Sequence, residues 1–326
     1  MLTFLRNQSP YTVILLFIFA LLLKLQALLH PAMPHLIPAG LAYNSIVHGA
    51  TYVLGSSGFG FTMLTAIMVF LQAMYLNHIA ARYKLFFRPS YVPAYTYLVL
   101  ASIYQPFNYF SEPLLNNWCL LGAFHILMGF GQTLQPRKHI FNAGFILSLA
   151  VLLQFSAIGY LLLLLLCLVI LRPFNITEWI VGLMGYVTPV YFFAAILFLC
   201  DRLPYMYHWP HLGFALPHIE KHLYPVGILG GVGVLVLCGV FAMQKLLPKG
   251  SIYVRRNWVA IILCLMISVC IAVCTPDIPE VWFITLPALC LMTSNAFSLE
   301  KSKRFSNFAF YFSLVLVIFA QVALNK

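Results

Sequence analysis

Leu161–Gly185 reads LLLLLLCLVILRPFNITEWIVGLMG, and this stretch decides the fold. A saturated apolar run stops at Arg172-Pro173-Phe174-Asn175, and a second begins at Trp179. That is the pattern of a turn between two membrane helices. Arg172 closes the first run, where a cation complements exposed helix C-terminal carbonyls. Pro173 cannot continue a helix and pushes the residue before it into extended backbone. Asn175 reads as an N-cap, with Glu178 three residues later where a capping box places an acid. Trp179 marks the lipid–water boundary. Arg172, Asn175 and Glu178 therefore form a structural turn. Capping and pairing with Arg172 account for Glu178 better than a proton-handling role does.

The composition agrees. Of 326 residues, 63% are hydrophobic and 8% charged, with mean hydropathy +0.95. Soluble domains carry about 25% charged residues, so the solvent of this surface is a bilayer. The net charge of +11 fits cationic loop bias and not nucleic-acid binding. Tyr11–Leu29 has no small-residue cleavage site after it and reads as a retained first helix. The eight cysteines (Cys119, Cys167, Cys200, Cys238, Cys264, Cys270, Cys274, Cys290) lie in or beside apolar runs without a CxxC, as small packing residues do.

Hydropathy predicts eleven spans in one all-α integral membrane domain covering 1–326: about 11–29, 57–80, 91–107, 114–131, 140–155, 158–171, 177–200, 224–245, 257–274, 279–297 and 306–323. Charge tests this order. Arg6, then Arg82, Lys84 and Arg88, then Arg137 and Lys138, then Arg172, then Lys245, Lys249, Arg255 and Arg256, then Lys301, Lys303 and Arg304 all fall on one side. These are most of the 18 basic residues, so that side, with the N-terminus, is expected to be cytoplasmic. Lys24 sits inside the first span and is expected to snorkel outward. The parity also requires Ile140–Leu171 to be a hairpin turning near Phe155–Gly159. One helix of that length would measure about 48 Å, against a core of about 30 Å.

The other side holds Glu112, Asp201, Glu220, Asp277 and Glu280, with His30, His35, His48, His208, His211, His218 and His222. It has two long loops. His30–Ser56 carries Pro31, Pro34 and Pro38, then an amphipathic stretch, Ala39–Leu54, suited to lying in the interface. Asp201–Leu223 is rich in Tyr, Trp, His and Pro.

Candidate chemistry gathers there. Asp201-Arg202 with His208, His211, His218, Glu220 and His222 is the densest polar cluster. Tyr205, Tyr207, Trp209 and its prolines make an interfacial aromatic belt the simpler reading. His218 and His222 have helical ligand spacing, but no zinc motif surrounds them and no metal is assigned. Glu112 stands among aromatics in Phe107–Pro113. A lone acid so placed can serve as a base, although Ser111 and Glu112 capping the next helix is the plainer account. Asp277 and Glu280 offer paired carboxylates, or an ordinary polar turn. We look to Glu112 and Asp201 as catalytic residues and to Arg202, His208, His211 and Asn116 as substrate-binding. Their convergence in one outer cavity is the feature to look for. Within the spans, Gln72, Asn77, His78, Asn116, Asn117, His125, Asn142 and Gln154 are expected to bond between helices or line a path. Gly227–Gly231 is a GxxxG packing motif. Gly55–Gly60 lacks the lysine of a phosphate loop.

Phe141-Asn142-Ala143-Gly144-Phe145 with Ser148-Leu149-Ala150, Ile170–Phe174 with Glu178-Trp179, Gly185 and Pro189, and Ser111–Asn117 together carry a resemblance. Over roughly the first two hundred residues the chain resembles an uncharacterised family of multi-pass inner-membrane proteins of Bacteroidota, which implies a bacterial inner-membrane location. The outline also looks like GT-C-type membrane glycosyltransferases, which use polyprenyl-linked donors. That class carries an acid in the first outer loop. His30–Ser56 has none, so a catalytic acid would come from Glu112 or later loops. Membrane lipids, a polyprenyl-linked substrate or another membrane subunit are the expected partners, and no cofactor is assigned. The expected function is envelope biogenesis on a lipid-linked or glycan substrate. The alternatives are a non-catalytic subunit of an envelope or secretion complex, or a transporter or flippase. The last is disfavoured by the lack of an inverted repeat and the scarcity of buried charge.

Overall fold

The computed structural model describes residues 5–6, 9–37, 40–55, 57–131, 135–209, 213, 223–276, 278–298 and 303–324. Among these the chain is helical without strands. In order the helices are α1 (Pro10–Leu23), α2 (Leu25–Leu29), α3 (Leu41–Leu54), α4 (Gly58–Arg82), α5 (Val92–Leu100), α6 (Glu112–Met128), α7 (Pro136–Leu153), α8 (Tyr160–Leu171), α9 (Ile176–Leu199), α10 (Tyr205–His208), α11 (Leu223–Leu246), α12 (Ile252–Val273), α13 (Leu286–Ser298) and α14 (Lys303–Leu324). Short 3₁₀ turns at Gln105–Asn108, Phe155–Gly159, Leu247–Lys249 and Pro279–Thr285 join them.

Six helical segments among the described residues are long and apolar enough to cross a bilayer: Gly58–Arg82, Ile176–Leu199, Val226–Leu246, Ile252–Val273, Pro279–Ser298 and Arg304–Gln321. Pro10–Leu23 and Phe155–Leu171 are apolar but shorter. The chain is thus a multi-pass membrane helix bundle, but the expected eleven crossings are not all met by length and composition. The clearest shortfall is at 91–107. Only Val92–Leu100 is α-helical there, about 14 Å at 1.5 Å per residue. All nine of its residues are buried, so α5 is a strut inside the bundle.

The expected hairpin is present. Gln154 is extended (φ −142°, ψ 114°) and separates α7 from the 3₁₀ turn that leads into α8. A Cβ placed on Gly182 of α9 would meet Ile140 near the start of α7 and Leu168 near the end of α8, at 3.2 and 3.6 Å. The two helices therefore fold back on each other. Helices α7 and α9 touch backbone to backbone. A Cβ on Gly144 would lie 2.6 Å from the Gly182 carbonyl, and one on Gly185 would strike the Phe141 carbonyl. In the GxxxG of α11, Gly227 and Gly231 accommodate Phe319 and Leu316 of α14, while Gly239 receives the backbone of α13 at Met292.

The connections gather at two ends. At the basic end, the Arg6 guanidinium donates to the Phe297 carbonyl at 2.7 Å, and Arg172 Nη1 donates to the Phe130 carbonyl at 3.0 Å. At the opposite end, Leu41 N–H donates to the Tyr205 hydroxyl, the Tyr43 hydroxyl donates to the Phe110 carbonyl, and Gly213 N–H donates to the Cys274 carbonyl. Arg6 is thus tied to the end of α13 and Arg172 to the segment after α6.

The Arg172 turn is built by side chains. Asn175 Oδ1 accepts from Thr177 N–H at 3.1 Å and from its hydroxyl at 2.8 Å. Glu178 is 6% exposed and meets Arg172 through both oxygens, Nη2–Oε1 at 2.8 Å and Nε–Oε2 at 3.1 Å. With both oxygens on Arg172, Glu178 does not supply the reciprocal arm of a capping box. The eight cysteines are free thiols. Cys167, Cys264 and Cys290 are buried, whereas Cys200 and Cys270 are exposed.

Lys24 departs from expectation. It does not snorkel. It is 3% exposed and interrupts the first helix between α1 and α2. Its ammonium donates to the Ala101 carbonyl at 2.9 Å, the Phe107 carbonyl at 3.2 Å and Asn108 Oδ1. Three donors meet three acceptors, so an inward cage replaces water. Ala101 is the C-cap of α5, where carbonyls otherwise lack partners.

Candidate functional site

Four loops far apart in sequence converge on Glu112. It opens α6, just ahead of the apolar run, and is 4% exposed. The cap expected there is not made: Ser111 holds the N-cap position, but its side chain accepts no capping bond. The Glu112 carboxyl instead points across to the start of α3. A Cβ placed on Gly40 would lie 2.5 Å from Glu112 Oε1, so the absence of a side chain at Gly40 makes room for the carboxylate. Among the described residues no hydrogen bond or ion pair reaches it, and burial pushes its pKa up to about 8. A desolvated carboxyl without a donor stays protonated near neutrality.

Two tyrosines lie near it, and a second carboxylate lies near the first of them. Tyr43, one turn into α3, is 1% exposed. Its pKa is raised by burial first, then by the nearby charges of Glu112 and Glu280. Tyr205 of α10 is held by Leu41 N–H at 2.8 Å. Its pKa is also raised, by burial, with Glu112 a further cause. Glu280, partly exposed, completes the group from the 3₁₀ turn at Pro279–Thr285. The carboxylate that shares a neighbour with Glu112 is therefore Glu280.

Asp201 and Arg202 stand exposed. Asp201 has φ +53° for a local reason. Arg202 N–H bonds the Leu197 carbonyl at 2.9 Å and Asp201 N–H bonds that of Phe198 at 3.2 Å. This is the Schellman closure of α9, with Asp201 at its left-handed position. His208 ends α10. His211, His218, Glu220, His222 and Asp277 lie outside the described residues. Trp209, 7% exposed, packs on Phe155 and Phe193 at 5.3 and 5.5 Å between ring centres. It anchors this loop on the α7–α8 turn and α9. Among the described residues no group of three or more His, Cys, Asp or Glu is arranged to hold a metal.

Asn116 lies deeper, fully buried, and donates to Gln154 Oε1 at 3.2 Å. Among the described residues Asn116 Oδ1, Gln154 Nε2 and Ser156 Oγ make no hydrogen bond, an unusual density of unpaired buried groups. Next to it runs a hydrogen-bonded chain, in which Asn117 Oδ1 is left without a partner among the described residues. Gln72 donates to the Leu114 carbonyl, the Tyr97 hydroxyl donates to Gln72, and Asn117 donates to the Tyr97 hydroxyl. His125 is packed against Tyr75, His78 and Tyr83 at 5.8 to 6.1 Å. It reads as a packing residue.

Two cavities among the described residues lie away from Glu112. They lie at the basic end around Lys84. Gly40, at the start of α3, packs directly on the carboxyl, and Glu112 is 4% exposed. No sequence pattern links Gly40 to Glu112. The one cue was a carboxylate placed among aromatics beside an amphipathic loop helix.

No protein-family model, curated protein or solved structure matches this chain.

Proposed function

We propose that the chain is a multi-pass protein of the bacterial inner membrane, with its N-terminus and basic end in the cytoplasm. In this reading it serves envelope biogenesis at the outer leaflet, handling a lipid-linked or glycan substrate in the manner of GT-C glycosyltransferases. The observation that carries it is Glu112: buried, unbonded among the described residues, neutral up to about pH 8 and covered by α3. A carboxyl so tuned suits general acid–base work, taking a proton from an acceptor hydroxyl or giving one to a leaving group. The Tyr43 and Tyr205 hydroxyls would orient the substrate. Asp201, Arg202 and His208 would meet it at the rim, and Asn116 would lie beneath. Helix α3 would act as the lid. The test is replacement of Glu112 and of Asp201 by alanine in the host. Loss of a specific envelope glycan at unchanged protein level supports the reading, and unchanged glycans and growth with both replaced reject it.

A second reading has its own support. Helices α9 and α11 bury only 28% and 22% of their apolar windows inside the chain. A non-catalytic subunit would use such flanks for a partner instead of lipid. Co-purification of a stoichiometric membrane partner from mild detergent would favour it.

A further inference from the structure

Two cavities share a wall at the basic end. The larger, about 340 Å³, is lined by Ala81, Lys84, Phe86, Phe87, Pro89 and Ser90 among others. The smaller, about 250 Å³, lies between Lys84, Phe87, Met243, Ser251, Trp258 and Asn295. Pockets for small ligands begin at about 300 Å³, so the pair has room for a polar headgroup. Lys84 borders both.

Lys84 is also held in a backbone conformation that lysine does not favour. Its φ is +50°. Leu85 N–H bonds the Ala80 carbonyl at 3.0 Å and Lys84 N–H bonds that of Ala81 at 3.2 Å. Helix α4 therefore ends in a Schellman closure whose left-handed position is normally glycine. A lysine there is strained where glycine would not be. Strain kept at one residue is a reason to ask what its side chain does.

The charge around it is unbalanced. Among the described residues the acid at this end is Glu178, and Arg172 occupies both its oxygens. Lys84, Arg255 and Arg256 are exposed and have no carboxylate partner among the described residues. Beside Ser90, Ser251 and Asn295 the lining is apolar and aromatic, and Phe87 is 62% exposed. A site with a cation at its mouth and aromatic walls selects an anion that carries a hydrophobic tail.

The geometry points to an anion-binding site at the basic end, formed by the two cavities flanking Lys84 and taking the phosphate of an anionic membrane lipid. The phosphate sits on the Lys84 ammonium and the acyl chain runs along Phe87. Basic pockets beside membrane helices recognise headgroups in this way. The site is independent of the role assigned to Glu112, which lies at the other end.

The test uses the full chain purified in detergent. Thermal unfolding and native mass spectrometry are run with phosphatidylglycerol, phosphatidylcholine or inorganic phosphate. Phosphatidylglycerol is expected to raise the midpoint and remain bound, and phosphatidylcholine is not. Lys84→Asn is the informative variant, because asparagine tolerates the left-handed backbone and the lipid-free protein stays at least as stable. It should lower phosphatidylglycerol occupancy by about tenfold, as expected for one lost charge-assisted contact. Arg256→Gln, which alters a cation lining neither cavity, should retain the lipid. Equal stabilisation by inorganic phosphate alone would keep the anion site and assign it to free phosphate. Equal binding of both lipids, or full retention by Lys84→Asn, overturns the proposal.

Discussion

The Leu41 backbone N–H donates to the Tyr205 hydroxyl at 2.8 Å, joining the first turn of α3 to a residue 164 positions later. That bond fastens the helix that covers Glu112. Tyr205→Phe leaves an amide at a helix start without its partner, a cost of about 1 kcal/mol. Hydrogen exchange over 41–47 should accelerate in this variant, while α4 and α6 keep wild-type protection. Unchanged exchange in α3 would show that the helix is held by other contacts.

The raised pKa of Glu112 makes stability depend on pH with a definite sign. The folded protein keeps the proton up to about pH 8, whereas an unperturbed glutamate carboxyl titrates near 4.5. Between those limits the folded state binds more protons than the unfolded state, so stability falls as pH rises across the window and levels off above it. Glu112→Gln imitates the neutral acid and should remove this slope. Melting curves of both proteins from pH 4 to 9 check it. Parallel curves would place the titration elsewhere.

Lys24→Met removes three donors from a buried cage and leaves the Ala101 and Phe107 carbonyls and Asn108 Oδ1 unpaired. The expected loss is on the order of 2–4 kcal/mol, read as a lower unfolding midpoint in detergent. A snorkelling lysine would tolerate the same change.

Gly144→Ala and Gly185→Ala each drive a methyl group into the backbone of the facing helix, where no rotamer change gives relief. Overpacking of this kind costs about 1–3 kcal/mol or more. Gly49→Ala, which meets nothing within 4 Å, should be neutral or slightly stabilising within a helix. Thermal midpoints of the three variants test the contrast.

Glu178→Ala leaves the Arg172 guanidinium with the Phe130 carbonyl but no carboxylate. The pair is largely buried, with side chains 18% and 7% exposed, and breaking such a pair costs about 3–5 kcal/mol. Growth and envelope glycans should follow protein level in this variant and not fall below it, because the role is structural.

What could be read from residues was whatever depended on local pattern. Arg172-Pro173 and Asn175 announce their turn because breaking and capping are short-range effects. The hairpin at Phe155–Gly159 followed from length and charge parity. The Lys24 cage was hidden because its acceptors are mostly backbone carbonyls 77 and more residues away, and carbonyls have no sequence. The contact of Gly40 with Glu112 was hidden for a related reason, since a glycine in a loop does not say what fills the space it leaves. Segment 91–107 was read as a full span because its apolar residues face protein and not lipid, and hydropathy does not distinguish the two.

The segment Pro279–Ser298 is 83% buried, with α5, α11, α12 and α14 packed on it. This has a consequence for biogenesis. A ribosome makes α5, α11 and α12 before residue 279, so these helices precede the pillar they pack on and leave a vacant slot between them. The fold closes only as the last seventh of the chain, from residue 279 on, is made. Until then the insertion machinery must hold an open ring of helices, and a chain truncated before residue 279 would expose that slot to the cell's membrane proteases.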